Sequence, residues 1–312
     1  MLTDKDNFGY HAWSILKFAG FSNAGSAAGS NMVTSPNTWT DDGRSIIGLN
    51  TTAWNSNMSE TRLQRLLYGL DGRPPVDIVM IGYSTEYFLN SSATARNTVL
   101  ANWCKQGGIL IICSEEETSN GYFLRLFFNE PSIGSAVIPS SPGYVYTLGF
   151  NPDNTDHSMR AYYCRDDDPI LRGPFHDILG RVWGEDASNT RYVINLPLDS
   201  VIIYSGANQI GYNDPARRTG VTIFRHRDYP LVFIGDGGFN SSEVRSYWNT
   251  PGNVCPFTLT TRTIAGHEYN YYPSHRSNFG ASRSTVYNTA FTANAFAWCI
   301  MKAEEIRRAS RH

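Results

Sequence analysis

The sequence predicts an α/β fold built on one doubly wound, mostly parallel β-sheet. The strongest observation is the stretch 76–117, in which two nearly all-apolar runs, VDIVMI and GILIIC, flank a segment of helical length. Strands that are apolar throughout are buried on both faces, as parallel strands covered by helices are. A second observation is the order of strand-like and helix-like segments along the chain. We therefore expect a β-α-β unit whose two strands end at the same edge of the sheet.

Composition limits the possible partners. The chain has 312 residues, of which 41% are hydrophobic and 17% charged, and its formal net charge of -2 gives no electrostatic reason to bind nucleic acid or an anionic membrane. No stretch approaches the ~20 apolar residues of a membrane span. The N-terminus lacks the basic and apolar regions of a signal peptide. We expect either a cytoplasmic protein or part of a longer secreted chain, and we favour the second.

The elements before and within the central unit follow from local patterns. Strands are predicted at 12–21 and 45–49. A helix is predicted from Ser59, because a serine is a favourable N-cap and leucines follow at helical spacing, with Gly69 near its end. After the second strand of the central unit, a short amphipathic helix is predicted at 122–128.

The second half of the chain is less regular. Residues 131–168 are predicted to be an irregular insertion with a small hairpin formed by 135–138 and 144–148, and 246–283 a second irregular insertion. Strands are predicted at 201–204, 220–225 and 231–234, the last two joined as a hairpin, and a closing helix at 289–308. These elements fit a single domain spanning 1–312.

Two sets of blocks resemble known families. VDIVMIGYS, GGILIICSEE and PLVFIGDGGF before a closing helix resemble the class I glutamine amidotransferase-like superfamily, which implies a flavodoxin-like fold. DDPILRGPFHDILGRVWGEDAS, FIGDGGF and NTAFTANAFAW resemble domains at the C-terminal end of large surface or fimbria-related proteins of Bacteroidetes. The second resemblance implies a place at the bacterial cell surface, or secretion as part of a longer chain.

Cys113 falls where catalytic amidotransferases carry their nucleophile. The family also has small residues around that cysteine, whereas this chain has Ile111 before it and Ser114-Glu115-Glu116 after it. Adjacent carboxylates disfavour a thiolate. The family's His-x-Glu dyad has only the adjacent pair His267-Glu268 as a counterpart. A nucleophile, its base and its orienting group must form a connected set, and here only the position of the nucleophile is present.

A second enzymatic interpretation uses acids. Glu115, Glu116 and Asp236 are candidates for a divalent cation site or for an acid and base acting on a glycosidic bond. The simpler interpretation is that one glutamate caps the following helix. The run 166–168 lacks EF-hand spacing and is predicted to be an exposed turn before Pro169. We expect neither a metal nor a cofactor.

The cysteines give no zinc motif. None of the five stands in a CxxC pair. Cys104, Cys113 and Cys299 lie in apolar contexts typical of core residues, whereas Cys164 and Cys255 lie in looser segments and are candidates for a disulfide.

Exposed aromatic and polar residues favour recognition rather than catalysis. Tyrosine and tryptophan beside asparagine, arginine and histidine are typical of sugar-binding and protein-binding surfaces. The predicted ligand-binding residues are Tyr83, Ser84, Trp248, His267, Tyr269 and Tyr271. The predicted function is a non-catalytic module of a bacterial adhesin-like or fimbria-related protein that binds a glycan or a protein partner at the carboxyl edge of the sheet. The alternatives are an amide or glycoside hydrolase at the same crevice and a purely architectural domain.

Overall fold

The computed structural model is a mixed α/β protein. It describes residues 2–3, 47–48, 59–70, 72, 75–81, 89, 93–114, 119–139, 143–149, 166–185, 189–206, 220–240 and 255–311. The predicted strand at 12–21 lies outside these ranges.

Between 47 and 128 the described strands and helices alternate, as the sequence predicts, and further strands lie on either side of this stretch. Their bounds are β1 Leu2–Thr3, β2 Ile47–Gly48, α1 Glu60–Tyr68, β3 Ile78–Ile81, α2 Thr94–Lys105, β4 Ile109–Cys113, α3 Ser119–Phe128, β5 Gly134–Pro139 and β6 Val145–Thr147. The second half is mainly β-structure closed by one long helix. Its bounds are β7 Val182–Gly184, β8 Asn189–Ile194, a 3-10 turn Leu198–Ser200, β9 Val201–Gly206, β10 Val221–His226, β11 Leu231–Ile234, β12 Leu259–Ile264, β13 His267–Pro273, β14 Arg276–Phe279, β15 Ser284–Val286 and α4 Asn288–Ala309.

Nine strands form the central sheet. Their order is β2-β1-β3-β4-β11-β10-β8-β5, with β9 beside β10. The five strands from β2 to β11 are parallel, and the remaining pairings are antiparallel. The expected parallel sheet is therefore found in one half only. The other half cannot be parallel at the β10–β11 connection, because the turn 227–230 is too short for a crossover.

Local signals explain the elements that the sequence located. The Ser59 side chain accepts a hydrogen bond from the Arg62 backbone N–H at 3.2 Å, so it is the N-cap of α1. Gly69 ends that helix with φ 66°, in the left-handed region where glycine is favoured. The β3-α2-β4 unit is parallel, with Ile78 beside Ile109, which confirms the central prediction.

The core lies on both faces of the sheet. Leu110 and Ile112 of β4 pack in the cluster that contains the buried residues of α1, α2 and α3. Ile111 and Cys113, which point to the other face because side chains alternate along a strand, pack in the cluster that contains α4. Strand β4 is thus buried along its whole length because helices cover both faces of the sheet.

Two predictions about the irregular segments are wrong. The segments 135–138 and 144–148 do not form a hairpin: β5 pairs with β8 along its whole length, and β6 pairs with β7 in a separate four-stranded sheet, β14-β15-β7-β6. The reason is that β8 offers six consecutive partners to β5, whereas β6 has only three residues, all of which pair with β7. The segment 246–283, expected to be irregular, contains β12, β13 and β14 in its described part.

The acidic run 166–168 is only partly the exposed turn that was predicted. Asp166 and Asp167 are exposed, but Asp168 is buried. Its carboxylate forms an ion pair with Arg225 at 3.1 Å and accepts a hydrogen bond from the Tyr204 hydroxyl at 2.9 Å. Asp168 is therefore a core residue that compensates a buried guanidinium.

Candidate functional site

The carboxyl ends of β4 and β11 lie side by side. Ile234 is the register partner of Cys113, and the Ser114 N–H donates to the Ile234 carbonyl at 2.9 Å. Asp236 follows two residues after Ile234, so it lies at the same edge as Cys113. Glu115 and Glu116, the other acids predicted for this edge, lie outside the described residues.

A turn formed by 236–240 covers this edge. Asp236 is fully buried, and its Oδ1 atom accepts a hydrogen bond from the Gly238 N–H at 2.9 Å. Asn240 donates from Nδ2 to the Cys113 sulfur at 3.7 Å and accepts from the Thr292 hydroxyl at 2.7 Å. The Cys113 side chain is 1% exposed. The turn therefore shields the sulfur from solvent and connects it to α4.

Gly235, directly before Asp236, allows the backbone at this edge to approach the neighbouring strands closely. Its N–H donates to the Thr222 carbonyl and its carbonyl accepts from the Arg191 N–H, both at 2.7 Å. A Cβ atom at Gly235 would lie 1.9 Å from the Arg191 carbonyl oxygen. Only glycine permits so close an approach of two backbones.

Buried asparagines of α4 hold the neighbouring segments. Asn288 donates to the Gly184 and Phe239 carbonyls at 2.8 and 3.1 Å and accepts from the Gly184 N–H at 2.8 Å. Asn294 donates to the carbonyls of Ile170 and His176 and accepts from the Phe175 N–H, at distances between 2.8 and 3.0 Å. The first half of α4 thus fixes the turn 236–240, here called the edge turn, and the turn 170–176 relative to one another.

Next to these turns, five rings form a connected surface that we call the aromatic patch. It consists of Phe175, His176, Tyr272, His275 and Tyr287. The ring of His176 lies 6.3 Å from that of Tyr272 and 6.4 Å from that of Tyr287, and the His275 ring lies 5.6 Å from that of Tyr287. His275 is exposed and the other four side chains are half-buried. The patch therefore presents ring surface to solvent.

Two guanidinium groups flank the aromatic patch. Arg262 of β12 lies over the Tyr272 ring at 4.6 Å, and Arg181 lies over the Tyr287 ring at 5.5 Å. The pKa of His176 is lowered, first by desolvation and then by the proximity of Arg262 and His275. At neutral pH His176 is consequently an uncharged ring within a positive surrounding.

Of the six sequence-predicted ligand residues, three lie on strand β13 and the other three lie outside the described residues. His267 is exposed and lies at the tip of the β12–β13 hairpin, opposite Ile264. Tyr269 and Tyr271 belong to β13, of which the backbone alone is described at those positions. Tyr83, Ser84 and Trp248 lie outside the described residues.

Most of the aromatic patch was missed because its members come from segments that are far apart in the sequence, 175–176, 272–275 and 287. Phe175, His176 and Tyr287 are not among the ligand-binding residues that the sequence predicts. One signal was present: Phe175-His176 and Arg181 stand in the block DDPILRGPFHDILGRVWGEDAS, and Tyr287 directly precedes NTAFTANAFAW. Both blocks carry the resemblance to surface proteins.

Two further observations limit the chemistry of the described part of the chain. Within it, no group of three or more histidine, cysteine or acidic residues is placed to hold a metal ion. None of its helices combines the length and apolar character that crossing a membrane requires. Cys255, a candidate for a disulfide with Cys164, is buried as a thiol; Cys164 lies outside the described residues.

Comparison with known proteins gives little guidance. No family model matches the chain, and no curated protein matches it. Among solved structures, it is similar to the crystal structure of a GMP synthase component from Thermoplasma acidophilum, at 12% identity and a TM-score of 0.35 over 80% of this chain and 82% of that chain. At those values the likeness carries no argument about activity.

Proposed function

We propose that this chain is a non-catalytic recognition module that binds a glycan at the aromatic patch. The observation that supports this best is the line of rings from Tyr272 through His176 to Tyr287, all half-buried and in contact with their neighbours. A tyrosine offers an apolar face and a polar hydroxyl at little cost in conformational entropy, which suits the mixed surface of a sugar ring.

The rings are held rigidly, as binding requires. The Tyr272 hydroxyl donates to the Phe175 carbonyl at 3.1 Å, which joins β13 to the turn 170–176. Asn294 holds the same turn from the side of the protein core. Because the rings are fixed before the ligand arrives, less side-chain entropy is lost on binding.

The enclosure of Cys113 favours recognition over the hydrolase alternative. A nucleophilic sulfur has to reach its substrate, whereas this one is 1% exposed and lies beneath the Asn240 side chain. The hydrolase alternative also uses acidic residues, of which Asp236 lies within the described residues. Asp236 is fully buried and accepts a hydrogen bond from the Gly238 N–H. Glycan binding at the aromatic patch requires no change at either residue.

The proposed cellular setting is the surface of a bacterium, with this chain as one module of an adhesin-like or fimbria-related protein. Its support is the resemblance of the blocks 167–188, 233–239 and 288–298 to such domains. Biotinylation of intact cells of the source organism with a membrane-impermeant reagent tests it. Labelling of the parent protein is expected, and labelling only after lysis would contradict the setting.

Tyrosine variants test the binding site. Tyr272→Ala and Tyr287→Ala are each expected to weaken binding at least tenfold to oligosaccharides selected on a glycan array, because each removes one stacking face. Tyr122→Ala is the matched control: Tyr122 is 45% exposed and stacks with Arg125 at 5.1 Å, but it lies on α3, on the other face of the sheet. Isothermal calorimetry measures affinity, and thermal unfolding checks that each variant is folded.

Two outcomes would distinguish glycan binding at the aromatic patch from the other possible sites and functions. Equal affinity of wild type, Tyr272→Ala and Tyr287→Ala for the selected glycan would place the site elsewhere. No binding to any glycan on the array would contradict glycan recognition and favour a protein partner or an architectural role.

A further inference from the structure

The aromatic patch carries two positive charges that no acid in the described chain neutralises. Arg181 and Arg262 are exposed, and neither forms an ion pair within the described ranges. Each guanidinium lies over a tyrosine ring, Arg181 over Tyr287 and Arg262 over Tyr272. A guanidinium over a ring face still has N–H donors for another acceptor, because it carries five of them and the ring face offers no oxygen or nitrogen acceptor.

The surrounding sequence adds positive rather than negative charge. Between 255 and 287 the chain contains a single acid, Glu268, against the three arginines Arg262, Arg276 and Arg283. Asp177, the acid next to His176 in sequence, is paired with Arg172 at 3.8 Å and accepts from the Leu179 N–H at 3.2 Å. The pKa of His176 is lowered first by its burial and then by Arg262 and His275, in agreement with a surface that carries positive charge.

We infer that the glycan bound at the aromatic patch is acidic, with carboxylate or sulfate groups held by Arg181 and Arg262 while its sugar rings pack on Tyr272 and Tyr287. This inference rests on the proposed function. The planar guanidinium matches the oxygen atoms of a carboxylate or sulfate and binds them with two parallel hydrogen bonds. Two arginines at opposite ends of a line of rings suit a chain with more than one acidic unit.

The test compares acidic and neutral probes of the same backbone. The carboxylated probe is an oligogalacturonate, and its neutral counterpart is the fully methyl-esterified form. The sulfated probe is dextran sulfate, with dextran as its neutral counterpart. The variants are Arg181→Ala/Arg262→Ala, the charge-retaining Arg181→Lys/Arg262→Lys, and Tyr272→Ala/Tyr287→Ala. The control is Arg62→Ala/Arg65→Ala on α1. It removes the same two positive charges as Arg181→Ala/Arg262→Ala, but from exposed residues on the other face of the sheet.

The expected result is specific for acid. Wild type binds at least one acidic probe at least tenfold more tightly than its neutral counterpart, and this preference weakens between 50 and 300 mM salt because exposed charges are screened. Arg181→Ala/Arg262→Ala abolishes the preference, the lysine variant retains part of it, and Arg62→Ala/Arg65→Ala leaves it unchanged. A preference for oligogalacturonate over its methyl ester would indicate carboxylate binding, and a preference for dextran sulfate over dextran would indicate sulfate binding.

Other outcomes overturn the inference separately from the proposed function. If the acidic and neutral probes bind equally and Tyr272→Ala/Tyr287→Ala weakens both, glycan binding stands and the acidic class is wrong. If the arginine variant weakens both probes alike, the arginines only support the tyrosine rings. If neither these probes nor any array glycan binds to wild type, the proposed function fails as well.

Discussion

His226 is the buried residue that couples folding to pH. It is 6% exposed, and its Nδ1 atom accepts from the N–H groups of Asp228 and Tyr229 at 2.9 and 3.2 Å. Its ring stacks on that of Phe128 at 5.3 Å. Burial lowers the pKa of His226 from 6.5 to about 4. The folded protein therefore holds this histidine neutral at pH values at which the unfolded chain protonates it.

We expect the free energy of unfolding to fall as the pH falls from 6.5 to 4, the window set by the unfolded and folded pKa values of His226. The unfolded state binds more protons in that window, and the loss from this residue is roughly 3 kcal/mol. His226→Asn retains an acceptor for the turn without titrating, so its stability should depend less on pH. Urea unfolding at several pH values measures both, with the exposed His267→Ala as control. Parallel curves for wild type and His226→Asn would contradict the expectation.

Cys113 is the residue at which the catalytic interpretation is tested directly. Since its side chain is 1% exposed and contacts Asn240, we expect iodoacetamide to label it in the folded protein more than a hundredfold more slowly than in urea. Peptide mapping by mass identifies the labelled cysteine, and the unfolded protein provides the reference rate. Rapid labelling of folded protein near pH 7 would show an accessible thiolate and return the hydrolase alternative to first place.

At the scale of elements, α4 is a scaffold whose polar residues matter as much as its apolar ones. Its buried side chains include Asn288, Thr289, Thr292 and Asn294. Together they bond four segments: β7, the backbone at Thr258, the turn 236–240 and the turn 170–176. Buried polar groups paired in this way determine which segments pack together, because leaving them unpaired is costly.

Asn294→Leu removes three of these hydrogen bonds at once. The carbonyls of Ile170 and His176 and the N–H of Phe175 lose their partner, so we expect a loss of stability of roughly 2–5 kcal/mol. The exposed Asn102→Leu on α2 is the same chemical change without buried partners and should change stability by less than about 0.5 kcal/mol. Urea unfolding compares the two. An Asn294→Leu variant as stable as wild type would show that the turn 170–176 keeps its conformation without the hydrogen bonds from Asn294.

The elements that the sequence predicted are those with an apolar face. The β3-α2-β4 unit, β10, β11 and α4 were found because their buried positions are occupied by apolar residues. β8 was missed because its buried positions include Thr190 and Arg191, both 0% exposed, which remove the expected pattern. The β12–β13 hairpin was missed in part because β12 is exposed apart from its first residue, so this strand has no buried apolar face to indicate it. Its two-residue turn, Ala265-Gly266 with φ 49° and 81°, was the remaining signal.

The candidate site was less predictable than the fold. The sequence placed Asp236 just past a strand end, and its position at the same edge as Cys113 depended on those two strands being neighbours, which the pairing of β4 with β11 shows. The aromatic patch depends on the packing of β13, the turn 170–176 and the residue before α4. Such a surface is created by tertiary structure, and no local pattern in the sequence specifies it.

At the scale of the whole molecule, stability is distributed unequally between the sheet and the hairpin. Strands β4 and β11 are buried along their entire length and are paired with each other and with a further strand on either side. β12 and β13 form a sheet of only two strands, and β12 is exposed apart from its first residue. A two-stranded hairpin is at most marginally stable without packing. Its base is tied by the Tyr272 hydroxyl to Phe175, and its tip has no comparable bond in the described structure.

Amide hydrogen exchange should reveal this gradient. We expect the amides of 110–113 and 231–234 to exchange only on global unfolding, and those of 263–268 to exchange several orders of magnitude faster through local opening. Mass spectrometry of peptic fragments measures both regions in one experiment, and the α2 segment 99–104, which is buried apart from Asn102, serves as an internal reference. Since Arg262 and Tyr272 belong to the hairpin, a bound glycan should slow exchange there and leave β4 unchanged. Protection of the hairpin equal to that of β4 without ligand would contradict this division and show that the hairpin belongs to the same cooperative unit as the sheet.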